Sequence, residues 1–197
     1  MRQKLSVHKS REFPGYYLFL LGVLIGVVLP NLIYKMQWRQ DTASALYLMG
    51  IHADGGSREY FWKVIRMRGG LFLLAAGSGL TIFGVPIAVG GVVLPGMVMA
   101  MLMTMSVLQF GLQGGLVGAG LLFPQFMIYV PCFLIAGRII YENSMQIWKS
   151  RNFLPGQISS YILKMLICSL FLGFGILLEV YFNPLITEIL IRNLKIF

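Results

Sequence analysis

Apolar and polar positions do not alternate along this chain; the apolar ones gather into long runs with short polar connections between them. The longest run extends from residue 69 to residue 137 without an Asp, Glu, Lys, Arg or His, and almost everything in it is apolar, Gly or Met. Such a run belongs in lipid. At about 1.5 Å per helical residue and about 20 residues per crossing, it holds three membrane helices with short turns between them. Glycines mark the turns, at Gly90-Gly91 and again over 111–115, which predicts helices over 71–89, 92–111 and 114–137. Further apolar runs predict a first helix over 14–34 and a fifth over 159–182. The expected fold class is therefore all-α: one integral membrane domain, residues 1–197, of about five transmembrane helices plus short interfacial helices.

The first run follows Arg2, Lys4, Lys9 and Arg11, the outline of a signal sequence. No small-x-small cleavage site follows it, and it is long enough to span, so it reads as an uncleaved membrane helix. Gly22 and Gly26, four apart, fit a helix-packing face. Residues 35–68 are the only long polar connection and divide at Asp54-Gly55-Gly56-Ser57, a turn followed by a helix cap, which predicts two short helices. The second, 58–68, mixes aromatic and basic residues as a helix lying at head-group level does; a peptide-binding surface is the other reading. The fourth helix is expected to continue past Arg138 into a polar segment, 139–149, whose Ile140, Ile147 and Trp148 can lie on the membrane surface before Leu154-Pro155-Gly156 ends it.

Composition agrees with a polytopic membrane protein: of 197 residues 57% are hydrophobic, and mean hydropathy is +0.78. The formal charge of +9 sits almost wholly outside the apolar runs, where it suits anionic lipid head groups better than nucleic acid. Cys132 and Cys168 fall inside apolar runs and read as small core residues, while His8 and His52 stand far apart with no thiol or carboxylate cluster beside them. No metal or cofactor is expected. Gly77-Ser78-Gly79 lacks the trailing Lys-Ser/Thr and the preceding strand of a phosphate loop, so it reads as close helix packing. Met97, Met99, Met101, Met103 and Met105 would spread around a helix rather than form one sulfur face, which points to adaptable packing. With no Ser-His-Asp set and no paired carboxylates at a common depth, an enzyme is not expected.

The polar chemistry inside the runs is sparse. Pro124 and Pro131 predict two kinks in the fourth helix, because each removes a bond to the carbonyl four residues earlier. Gln125 and Tyr129, four apart, share a helix face and could satisfy the freed carbonyls or a neighbouring helix. Glu179, followed by Tyr181, Asn183 and Pro184, is a functional candidate as an intramembrane carboxylate, or a solvated one if the helix end is wet. Five crossings put the termini on opposite sides, yet Lys and Arg nearly tie across them, seven against eight, so charge leaves orientation open.

Leu122-Phe123-Pro124-Gln125 with Pro131, Leu178-Glu179-Val180-Tyr181 with Pro184, and Gly84-x-Pro86, taken with segment order and length, resemble the stage II sporulation protein M family of integral membrane proteins. The wider family's motif is similar to Pro-His-Gly with a Glu three residues on. Gln125, Phe126 and Tyr129 stand at those positions here, which removes two titratable groups and speaks against proton-coupled transport. The resemblance implies a non-enzymatic anchor of the engulfment machinery that positions two peptidoglycan-degrading partners, the sporulation proteins P and D, at the septal membrane. It further implies a cytoplasmic N-terminus, with residues 35–68 and 179–184 outside as the docking surface. Membrane lipids and a second copy of the chain are the remaining expected partners. A small transporter or channel subunit is the alternative.

Overall fold

The computed structural model describes residues 13–34, 57–150 and 155–194. The expected first short helix of the 35–68 connection and the basic N-terminal cluster lie outside those residues. What is described is all-helical: α1 (Gly15–Tyr34), α2 (Arg58–Val64), a π-helical turn (Ile65–Gly69), α3 (Gly70–Ser78), α4 (Gly84–Phe110), α5 (Leu112–Leu122), α6 (Gln125–Ser150) and α7 (Pro155–Leu194). Four of these, α1, α4, α6 and α7, are long and apolar enough to cross a membrane.

α2 begins where Ser57 stops the chain in an extended conformation and accepts the Tyr60 amide at 3.0 Å, the expected cap. From Arg58 the backbone stays right-handed helical through the π turn and α3. The expected separation of a surface helix over 58–68 from a membrane helix over 71–89 is thus corrected: the two form one helical run that ends at Ser78.

The turn expected at Gly90-Gly91 is also corrected, because both glycines lie inside the 27-residue α4. The chain reverses at 79–83 instead, and the reason is the supply of hydrogen-bond donors. A reversal releases carbonyls that lipid cannot satisfy. Here Asn143 donates to the Gly79 carbonyl at 2.8 Å, Ser144 to those of Thr81 and Ile82 at 2.5 and 3.2 Å, and Tyr161 to that of Ala76 at 2.6 Å. The polar segment 139–149, expected on the membrane surface, is in part the partner of this turn. The second expected turn is present at Gly111, whose φ of 66° falls where glycine is favoured.

The expected fourth helix, 114–137 with two kinks, is broken rather than bent at its first proline. α5 ends at Leu122, the Phe123–Pro124 bond is cis, and α6 starts at Gln125, so of these two prolines only Pro131 lies inside a helix. α6 does continue past Arg138, as expected. Pro155 opens α7 at the first helical position, where its missing N–H is no loss. α7 then passes the expected end at 182, through Pro184, to Leu194.

α1 lies parallel to α4 along a seam of small residues: a Cβ at Gly22 would strike the Val93 carbonyl, one at Gly26 the Met97 carbonyl, and one at Gly96 would sit 2.5 Å from the Phe19 carbonyl. α6 and α7 are antiparallel, joined near one end by the Cys132 thiol donating to the Cys168 carbonyl at 3.3 Å. The core lies between α6, α7 and the 58–78 run, around Tyr60, Val64, Phe72, Cys132, Ile176 and Val180. Leu24, Leu73, Leu74, Leu163 and Leu170 face outward, as a bundle solvated by acyl chains requires.

Candidate functional site

The buried polar groups of the bundle converge on Glu179. α7 carries it with a residue exposure of only 3%, too little for the solvated helix-end reading. Its Oε2 accepts the Tyr129 hydroxyl at 2.7 Å, and its Oε1 lies 3.3 Å from Nη2 of Arg68. The Arg68 guanidinium also sits 5.4 Å from the centre of the Tyr129 ring, within range of a cation–π contact. Three elements thereby meet through three side chains: the π turn, α6 and α7.

Each side chain has a local reason for its aim. A π turn inserts one residue into the helical ladder and rotates the residues after it, and such turns recur at functional positions. In this one, Arg66 remains exposed while Arg68 is drawn inward, its side chain 22% accessible. Tyr129 is wholly buried because α7 leaves space for its ring: a Cβ at Gly175 would stand 2.6 Å from it. Phe126 and Phe133 flank the ring at centroid distances of 6.0 and 5.9 Å, which fixes its direction. One turn beyond the triad on each antiparallel helix, Gln125 and Asn183 are also fully buried. Gln125–Tyr129 and Glu179–Asn183 are thus two i,i+4 polar pairs on facing helices.

Gln125 and Tyr129 are both buried on one face of α6, and Glu179 of α7 accepts the Tyr129 hydroxyl. The other candidates are not brought in: Tyr181 is 55% exposed, Pro131 is exposed, and Pro124 and Pro184 are half-buried at the α5–α6 break and within α7. Two members are not evident from the sequence. Asn183 stands between more conspicuous neighbours. Arg68 groups with the other cations of 58–68, although it is the basic residue that borders the charge-free run, a signal that it could enter the membrane with that run.

Chemically, the triad is a charge-assisted hydrogen-bond network that ties helices together. A carboxylate in a dry bundle is tolerated when a cation and a hydroxyl both serve it. Among the described residues, no group of three or more His, Cys, Asp or Glu side chains is placed to hold a metal ion. No protein-family model, curated protein or solved structure matches the chain.

Proposed function

We propose that the chain is a non-catalytic membrane anchor crossing the bilayer five times. Its crossings would be α1, the 58–78 run, α4, the broken pair α5–α6, and α7. The 58–78 run supplies about 30 Å of helix, its charged first half, 58–68, at head-group level and its charge-free second half, 69–78, about 15 Å long and embedded. The termini then lie on opposite sides.

The observation that carries this reading is the contact between Arg68 and Glu179. It fastens the helix leading out of the 35–68 connection to the body of the bundle, so a load taken up by that connection is transmitted to α6 and α7. The specific role follows the resemblance in the short Pro124-Gln125, Pro131 and Glu179 to Pro184 motifs: positioning the sporulation proteins P and D at the septal membrane during engulfment. Crosslinking the full-length chain in sporulating cells tests it. Recovery of both hydrolases, lost when 35–56 is replaced by a neutral linker, supports the role; membrane expression in vegetative cells without either partner overturns it.

A transporter or channel subunit is the second reading, favoured by the same triad, since a buried carboxylate facing an arginine among membrane helices marks many ion and substrate paths. Flux into proteoliposomes that Glu179→Gln abolishes, while the protein remains folded, would establish it over the anchor.

A further inference from the structure

α2 and the π turn present two chemically different faces. Inward are Tyr60, Val64 and Arg68; outward, lining a shallow groove of about 820 Å³, are Arg58, Glu59, Trp62, Lys63, Arg66 and Met67. Arg58, Lys63 and Arg66 make no ion pair with a carboxylate among the described residues, and Glu59 in the first turn leaves the face cationic. Below this face on the same helical run the outward residues become purely apolar, with Leu71, Leu73 and Leu74 each at least 61% exposed.

We infer that the outer face of 58–67 is a binding site for an anionic phospholipid. The phosphate would be held between Arg58, Lys63 and Arg66 beside the Trp62 indole, the glycerol region would lie against Met67, and an acyl chain would run down Leu71 and Leu74. The vertical order decides between occupants. Cations with an amphipathic indole among them over 58–66, then Met67, then leucines over 71–74, is the order of a lipid from head group to acyl chain, and indole favours the head-group boundary. An acidic peptide would use the cations and leave the leucines idle. Lys and Arg stems can extend along apolar surface while their charged ends reach a phosphate, which makes a cation on a lipid-facing helix tolerable. The inference rests on the 58–78 run lying in the membrane and is independent of whether the chain anchors or transports.

The test uses the full-length chain with Trp38→Phe and Trp148→Phe, so that Trp62 is the sole indole, reconstituted in phosphatidylcholine bilayers with a minority of phosphatidylglycerol. Either lipid is brominated near the head of its acyl chains, and quenching of Trp62 is read. Brominated phosphatidylglycerol should quench about fivefold more than its mole fraction predicts, because each nearby cation favours an anionic head group. That excess should fall in high salt as screening shortens. It should also vanish in Arg58→Gln/Lys63→Gln/Arg66→Gln, whose circular dichroism should match the parent. Equal quenching by both lipids per mole, or an excess that survives the triple substitution, overturns the lipid site alone. Absence of quenching by either lipid overturns the membrane placement of 58–78 as well.

Discussion

Tyr129 serves two partners with two parts of one side chain: its hydroxyl gives its hydrogen to Glu179, and its ring lies beneath the Arg68 guanidinium. Removing either part therefore has a distinct consequence. Glu179→Gln strips Arg68 of its counter-charge in a largely dry site and is expected to destabilise by about 3 kcal/mol, the usual range for breaking a buried pair being about 3–5. Arg68 retains some access to water, which places the effect at the low end. Tyr129→Phe keeps the ring and the ion pair and should cost about 1.5 kcal/mol, the value of one hydrogen bond to a charged group. Arg68→Gln combined with Glu179→Gln should lose less than the two singles summed, because neither charge is then stranded. Reversible unfolding in detergent micelles measures all four proteins, and an additive double variant would mean the contact contributes nothing. The Gln125–Tyr129 spacing was legible in the sequence because helical neighbours four apart are a local matter. The bond to Glu179 was not, since it depends on which turns of two distant helices come level.

At the scale of the element, glycine carries opposite meanings at positions that look alike in the sequence. Gly22 and Gly26 on α1 face backbone carbonyls of α4, whereas a Cβ at Gly90 or Gly91 would meet nothing within 4 Å. Gly22→Val should accordingly force α1 away from α4 and abolish the stably folded protein, read as loss of a monodisperse detergent-solubilised peak. Gly90→Ala should do the reverse, raising stability by up to about 1 kcal/mol, because alanine replaces the poorest non-proline helix former inside a helix. A destabilising Gly90→Ala would instead restore the turn that the glycine pair suggested. That pair misled because a pair of glycines has no intrinsic commitment to a turn. What places this reversal is a supply of donors for released carbonyls, and the donors come from Asn143, Ser144 and Tyr161, far along the chain from 79–83. Asn143→Leu with Ser144→Ala should therefore lower the thermal midpoint more than the same replacements on an exposed face. Each lost bond leaves a part-buried carbonyl without its donor, at about 1 kcal/mol, the low end because the turn is exposed at Thr81. Ordinary solvent-exposed polar residues at 143 and 144 would show no measurable shift.

For the whole molecule, an all-helical chain with helices long and apolar enough to cross a membrane was readable from composition, but not the helix boundaries, because the stretch from 69 to 137 contains no charged residue to mark where one helix stops. Contacts between distant segments supply those markers. Phe13, ahead of α1, packs on Tyr141 of α6 with ring centroids 5.0 Å apart, and the next turns of α6 carry the donors for 79–83. The start of α1, the 79–83 turn and the later half of α6 therefore share one side of the bundle. α4 runs parallel to α1, which carries Gly111 to the same opposite end as Tyr34. Single cysteines in a background lacking Cys132 and Cys168 separate this arrangement from the division at Gly90-Gly91. Thr81→Cys, exposed in the turn, should react with a membrane-impermeant maleimide from the side of the N-terminus. Glu59→Cys, on the exposed face of α2, should react only from the other side. Gly90→Cys, about 9 Å into α4 from its start at Gly84, should remain unlabelled until the membrane is dissolved. If the turn lay at Gly90-Gly91, the outcome for Thr81 and Gly90 would be exchanged, with Thr81 silent inside a helix over 71–89 and Gly90 open to water. Since Thr81 and Gly90 are nine positions apart in one uncharged stretch, no overall shift of the bundle relative to the lipid could produce the first pattern from the second fold.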